Sequence, residues 1–162
     1  MKKLIICEKG SAARELQHSG FFGKLTNKDG YMENDQYIIT WCQGHIYRKQ
    51  DPSEINPIYG LKYSPQDKFD YELPSLASEV KHVPNIKKKY ANDKDTMYPT
   101  RKKSLDAIKT CLKRKDYDEI ILAADPDAEG ERIHTDVIRY NKSLIRSGVT
   151  FSRFWNPLSY QN

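Results

Sequence analysis

Two short apolar runs, each ending in an acidic residue and followed by a helical pattern, constrain the fold of this chain most. The first run is KLIICE at 3–8, and the second is DEIILAA at 118–124, with Asp125 directly after it. Continuous apolar runs of this length predict buried strands. Strands that alternate with helices predict an α/β fold in which a central, mainly parallel sheet is flanked by helices. Glu8 and Asp125 then lie at the carboxyl edge of the sheet, where such folds bind ligands.

Turn residues and helical periodicity predict the remaining elements. These are a helix capped by Ser11, a β-hairpin that turns at Asn34–Asp35, a helix over 100–112 capped by Thr100, a helix over 129–140 and a last strand over 149–155. Six prolines punctuate residues 50–99, which predicts an irregular insertion with one short helix near 76–83. We expect one domain over 1–156, followed at 157–162 by the start of a linker to a missing domain.

The charge of the chain is distributed unevenly. Residues 81–116 hold 12 basic and 4 acidic residues, a net charge of +8, whereas the formal charge of the whole chain is only +5. A basic segment beside an acidic remainder is typical of proteins that bind a polyanion, although a solvated helix face gives the same pattern.

Three widely spaced cysteines argue against a disulfide framework and a zinc knuckle. We therefore expect a reducing, cytoplasmic location.

The acidic sequence DPDAEGE at 125–131 is the strongest chemical signal. Asp125 and Asp127 follow a predicted strand, so their carboxylates can face one point, and Glu129 falls at the start of a predicted helix, where its negative charge is favourable. Repulsion among them is relieved by a hard divalent cation, above all Mg²⁺, although an acidic turn that only caps a helix is the plainer alternative. Glu8 at the end of the other strand and Lys9 beside it add a carboxylate and a phosphate-binding cation. Together these groups favour phosphoryl-transfer chemistry.

These motifs resemble those of type IA DNA topoisomerases of the topoisomerase III kind. EKGSAAR at 8–14 resembles the first motif of that family, roughly E-K-P-S-x-A-R, and DPDAEGE at 125–131 resembles its D-x-D-R-E-G-E motif. The segment from Gly30 to the Gly44-His45 pair resembles the region between these motifs. RFW at 153–155 resembles the R-x-W that follows them. The order and spacing of the motifs make the resemblance specific.

The resemblance implies a Toprim fold and a division of roles among the site residues. It implies that Asp125, Asp127 and Glu129, together with Glu8, bind Mg²⁺. It also implies that Glu8 handles the proton of the leaving oxygen and that Lys9 contacts the scissile phosphate of single-stranded DNA. A tyrosine of another domain cleaves and religates the strand through a 5′-phosphotyrosine, without ATP. Lys9, Arg14 and His45 are the candidate DNA-binding residues.

The sequence departs from the family pattern at three points. Gly10 replaces the usual proline, Ala128 replaces the usual arginine, and none of the 11 tyrosines matches the nucleophile of the family. We therefore expect the chain to work with the remaining topoisomerase domains and to be inactive alone. A stand-alone Toprim module, either DNA-binding or similar to a nuclease or primase, is the alternative. A phosphatase of the haloacid dehalogenase type is disfavoured, because its D-x-D motif normally ends the first strand.

Overall fold

The computed structural model describes residues 1–55, 80–88, 96–97 and 99–154. It divides the chain into two compact units, Met1–Ile46 with Ile86–Asn162, and Tyr47–Asn85. The larger unit contains β1 (Lys2–Cys7), α1 (Gly10–His18), β2 (Thr26–Asn27), β3 (Tyr31–Glu33) and β4 (Tyr37–Trp41). The smaller unit contains β5 (Tyr47–Lys49), α2 (Pro52–Ile55) and β6 (His82–Pro84). The larger unit resumes with β7 (Lys87–Lys88), β8 (Thr96–Met97), α3 (Pro99–Leu112), β9 (Tyr117–Ala123), α4 (Ala128–Tyr140), a 3₁₀ turn (Lys142–Leu144) and β10 (Thr150–Arg153).

A six-stranded sheet in the order β10-β9-β1-β4-β3-β2 forms the centre of the larger unit. β1 pairs in parallel with β4 and with β9, and β9 pairs in parallel with β10. Among the described strands of this sheet, β3 alone runs in the opposite direction, since it pairs antiparallel with both β4 and β2. The prediction of an α/β fold with a central, mainly parallel sheet is therefore confirmed. The two apolar runs that predicted it lie side by side at the centre, as β1 and β9.

The two faces of the sheet are covered by different helices. The connection through α1 leads from β1 to β4 on one side of it, whereas the connections through α3 and α4 lead back across the sheet to β9 and then to β10 on the other side. Connections between parallel strands are right-handed in nearly all proteins. Hence α1 covers one face and the other two helices cover the opposite face. Ile5 and Cys7 of β1 pack in the cluster that includes Ala13 of α1. Leu4 and Ile6, on the other face of β1, are fully buried. The three cysteines are free, in agreement with their wide spacing, and all three are buried.

The predicted β-hairpin is confirmed, and its turn depends on one asparagine side chain. Oδ1 of Asn34 accepts hydrogen bonds from the backbone amides of Gln36 (2.9 Å) and Tyr37 (2.8 Å).

Just before β3, Gly30 has a φ of +82°. A Cβ on Gly30 would lie 2.6 Å from the Cβ of Ala107 in α3. The hairpin therefore needs an asparagine at its turn and a glycine where it approaches α3.

Both predicted helix caps are wrong. α1 begins at Gly10, so its N-cap is Lys9, which has an extended backbone and makes no side-chain capping hydrogen bond. The cause is the short connection, since only Glu8 and Lys9 separate β1 from α1. α3 begins at Pro99, one residue before the predicted cap Thr100. Proline is favoured in the first helical turn because its missing N–H would have no partner there.

The helix predicted near 76–83 is not observed in the described part of that range. Residues 76–79 lie outside the described residues, and Val80 and Lys81 are not helical. His82 and Val83 belong to β6, which pairs antiparallel with β5. Within this smaller unit, Nη1 and Nη2 of Arg48 each donate to one carboxylate oxygen of Glu54 at 2.7 Å. No helix in the described part of the chain is long and apolar enough to cross a membrane.

Candidate active site

The site lies where β1 and β9 end beside each other. Cys7, the last residue of β1, is opposite Ala123, the last residue of β9. The amide of Glu8 donates to the carbonyl of Ala123 at 3.2 Å, which continues the ladder by one residue. Glu8 and the loop that starts after β9 therefore leave the sheet at the same edge. The sequence predicted this edge as the ligand-binding one.

Glu8 holds the start of the acidic loop. Its Oε2 accepts a hydrogen bond from the backbone amide of Asp125 at 3.2 Å, across 117 positions of sequence. Gly130 packs against both residues, since a Cβ there would lie 2.5 Å from the Asp125 carbonyl and 3.1 Å from Oε2 of Glu8. Contacts below 3.0 Å require the backbone to shift, so the loop tolerates only glycine at this position.

Lys9 and Asp125 form an ion pair at the mouth of the site. Nζ of Lys9 donates to Oδ2 of Asp125 at 3.2 Å. The hydrogen bond and the negative charge of Asp125 raise the pKa of the Lys9 ammonium. Because both side chains are partly exposed, solvent screens this pair and it contributes little to stability. Lys9 is therefore charged and can exchange its carboxylate partner for a phosphate.

The other two acids of the loop have different partners. Asp127 is the N-cap of α4, and its Oδ1 accepts from the amide of Gly130 at 2.7 Å. Glu129 is 67% exposed, and its Oε1 lies 3.5 Å from Nε2 of His45. The structure thus brings Glu8, Lys9 and Asp125 together, and it separately brings His45 to Glu129. Arg14 lies on α1 beside Gly10 and Trp41.

The donor chemistry of the loop fits a hard divalent cation. Carboxylate oxygens are the ligands that Mg²⁺ takes from proteins, usually one or two of them with water and substrate phosphate completing the shell. Within the described residues, no three side chains of His, Cys, Asp or Glu are gathered closely enough to hold a metal ion. At Asp125 the Lys9 ammonium supplies the positive charge instead. The acids of the loop thus have separate partners in this structure, since Lys9 pairs with Asp125, the amide of Gly130 donates to Asp127, and His45 lies beside Glu129.

Arg153 of β10 is a site residue whose role was not predicted from the sequence. Its guanidinium donates to the carbonyls of Leu122 (2.9 Å) and Asp125 (3.0 Å) and to Oε1 of Glu131 (2.6 Å). The sequence signal was the RFW motif at 153–155, whose resemblance to the R-x-W of the family assigned no contact to Arg153. The structure shows instead that Arg153 ties the acidic loop and the first turn of α4 to the edge of the sheet.

Comparison with known proteins agrees with this geometry. Residues 3–154 match the Toprim domain family. The chain therefore belongs to the Toprim family, as the two motifs and the mainly parallel sheet predicted. Its relatives include three proteins named DNA topoisomerase 3. That of Bacillus thuringiensis (strain Al Hakam) is 33% identical over 152 residues, that of Bacillus subtilis (strain 168) 32% over 154, and that of Staphylococcus epidermidis 30% over 175.

The similarity covers nearly all of this chain but a small part of each relative. The matched residues make up 92% to 100% of this chain and 18% to 22% of the relatives. The chain thus spans about a fifth of the length of the curated proteins it matches. The predicted resemblance to topoisomerases of the topoisomerase III kind is confirmed for this domain.

Proposed function

We propose that the chain is the Toprim part of a type IA DNA topoisomerase that acts on single-stranded DNA in the cytoplasm without ATP. The meeting of Glu8, Lys9 and Asp125 at one edge of the sheet carries this proposal. The other domains of the enzyme supply the tyrosine that cleaves and religates the strand. The family match and the topoisomerase relatives support the same assignment. The proposed domain covers 1–156, with an insertion at about 50–99.

Glu8 and Lys9 have distinct chemical roles in this proposal. Glu8 shuttles the proton between the tyrosine hydroxyl or the leaving 3′-oxygen and the solvent. Its carboxylate is oriented for this role by the amide of Asp125. Lys9 leaves the Asp125 carboxylate and binds a non-bridging oxygen of the scissile phosphate. A charged lysine is suited to this because the phosphate gains negative charge as the strand is cleaved.

Asp125, Asp127 and Glu129, with Glu8, are the proposed ligands of Mg²⁺. When bound, the ion neutralises charge on the DNA phosphates and so helps to position the strand. The chain's own residues prepare the site, since Glu8 and Gly130 fix the loop that carries the three acids. Arg14 and His45 are proposed to contact the DNA backbone beside this centre. His45 reaches it through its position next to Glu129.

A domain exchange tests the proposed function. The matching region of Bacillus subtilis DNA topoisomerase 3 is replaced by this chain, and relaxation of negatively supercoiled plasmid is measured with Mg²⁺. We expect relaxation that is lost, by at least a hundredfold, in Glu8→Ala, because the proton-handling carboxylate is removed. The control Glu15→Ala removes an exposed acid of α1 and should keep full activity.

Two results would contradict the proposal. The first is a folded exchange protein that binds single-stranded DNA but does not relax plasmid. The second is accumulation of nicked plasmid without relaxation, which would favour the nuclease-like module instead. Circular dichroism and gel filtration establish that the exchange protein is folded before either result is interpreted.

A further inference from the structure

A groove of about 430 Å³ lies beside the site, between α1, the hairpin and α3. Trp41, at the end of β4, lines it and pairs with Cys7, the last residue of β1. Glu8 follows Cys7, so the groove opens at the same edge of the sheet as the acidic loop, with β1 between them. Its volume is in the range of pockets that hold a small organic ligand such as a nucleoside. None of the roles assigned above to the acidic loop uses this groove.

The groove is basic. Arg14, Lys28 and Lys103 line it, and all three side chains are exposed. No acidic side chain is among the described residues that line it. Lys103 forms an ion pair with Asp29, whereas Arg14 and Lys28 make no ion pair within the described part of the chain. Two unneutralised cations and a third at the rim suit a ligand with more than one phosphate.

Trp41, which also packs against the core cluster of the sheet, gives the groove an aromatic side chain of the kind on which an unpaired base stacks. Its indole is partly exposed, and Met32 is buried in the same groove. Gly10 makes room for this ring, because a Cβ there would lie 3.2 Å from Nε1 of Trp41 and 3.6 Å from Nη1 of Arg14. The glycine that replaces the usual proline thus gives the ring its space, while the guanidinium of Arg14 lies at ordinary contact distance from the same position. Stacking on an aromatic ring requires a base that is not paired.

We propose that this groove binds one nucleotide of the single-stranded DNA that continues from the scissile phosphate at Lys9. Its base packs on Trp41, and Arg14 and Lys28 bind the two phosphates that flank its sugar. The amide side chain of Gln43, at the groove wall, is placed to hydrogen-bond the base or sugar. This inference rests on the proposed function, because that function brings a single strand to Lys9. It adds a binding site for the flanking nucleotide on the Toprim domain itself.

Tryptophan fluorescence tests the stacking directly. The chain has two tryptophans, Trp41 and Trp155, so Trp155→Phe leaves Trp41 as the single tryptophan. Titration of this variant with a 12-residue oligo(dT) should quench the fluorescence of Trp41. The quenching should saturate at the same Kd as the anisotropy of a fluorescein-labelled oligo(dT). A duplex of the same length should quench it much less, because its bases are not free to stack.

A pair of double variants tests the phosphate contacts. Arg14→Ala with Lys28→Ala removes two cations of the groove, and Lys113→Ala with Lys115→Ala removes two exposed cations after α3. Both changes alter the net charge equally, so a general electrostatic effect would weaken binding equally. We expect the groove variant to bind oligo(dT) at least tenfold more weakly, with a salt dependence lower by roughly 1.4 in log–log slope. The control should change affinity less than threefold.

Several outcomes would overturn the inference. If oligo(dT) binds without quenching Trp41 and both double variants behave alike, the groove is not the site, while the proposed function stands. If the chain binds no oligonucleotide at all, both the groove and the DNA-binding part of the proposed function fail. If oligo(rU) binds at least tenfold more tightly than oligo(dT), the groove is a site for RNA and the inference is wrong.

Discussion

His134 of α4 is a single residue with a large predicted effect on stability. It is 1% exposed, and neither ring nitrogen makes a hydrogen bond of ordinary geometry within the described residues. Burial, and then the positive charge of Arg153, lowers the pKa of His134 to about 4. The folded domain thus holds a neutral imidazole in its core at physiological pH. Protonation of that ring opposes folding.

The folded domain should therefore lose stability in mildly acidic solution. An unfolded His134 binds a proton near pH 6.5, whereas the folded one does so only near pH 4. Between these values the unfolded state binds more protons, so the free energy of unfolding falls as the pH falls. The contribution of His134 amounts to about 3 kcal/mol over this range, at 1.36 kcal/mol per pKa unit. Urea unfolding at pH 7 and pH 4 measures it.

His134→Leu is the variant that isolates this effect. It should lose this part of the pH dependence and be at least as stable as the parent at pH 7, because it removes two buried ring nitrogens that make no ordinary hydrogen bond in the described part of the chain. The control is His18→Gln, which changes an exposed histidine at the end of α1. If His134→Leu kept the full pH dependence of the parent, the assignment to this residue would be wrong.

At the scale of elements, β10 controls the loop between β9 and α4. Arg153 of β10 donates to carbonyls at the end of β9 and in the loop, and to Glu131 of α4. One guanidinium thereby joins three consecutive elements next to the acids. Its planar group with several donors makes these contacts at once, which an ammonium cannot do. Arg153 therefore acts as a positioning residue for the acidic loop.

Arg153→Lys tests this positioning role. The variant keeps the charge but loses the forked hydrogen bonds, so we expect the free energy of unfolding to fall by about 1–3 kcal/mol. We also expect the affinity for Mg²⁺ in calorimetry to fall by about tenfold, as is typical when partners that orient metal ligands are changed. Arg139→Lys, at the other end of α4, is the control. A loss of stability with unchanged Mg²⁺ affinity would show a purely structural role.

Local sequence patterns predicted which helices and strands form, but not where the helices begin or which distant residues contact each other. β1, β9 and the hairpin were predicted because apolar runs and turn residues are properties of adjacent positions. The caps at Ser11 and Thr100 were wrong because the helix starts depend on a two-residue connection and on Pro99. At the site, too, positions were predicted better than contacts. Glu8 and Asp125 were expected at one edge, whereas the role of Arg153 depends on partners that only the folded sheet brings together.

At the scale of the whole molecule, this chain carries only the Toprim share of the proposed reaction. Relaxation of DNA requires a nucleophile that stores the energy of the phosphodiester in a covalent bond, and in the proposal that nucleophile belongs to another domain. The purified chain should therefore give no relaxed topoisomers from negatively supercoiled plasmid with Mg²⁺ on an agarose gel. Relaxation that disappears in Glu8→Ala would contradict this and would place the nucleophile among the tyrosines of this chain.

The central position of β1 also determines when the domain can finish folding. Lys3 of β1 lies opposite Tyr37 on one side and Glu119 on the other. At roughly 5–20 residues per second, the ribosome completes β9 on the order of ten seconds after it has completed β1. During that time one edge of an apolar strand has no neighbour, which exposes the nascent chain to aggregation and to chaperones. The bond from the Asp125 amide to Glu8 can form only after β9 has been made, and the bond from Arg153 to the Asp125 carbonyl only after β10, so the candidate site is among the last parts of the domain to assemble.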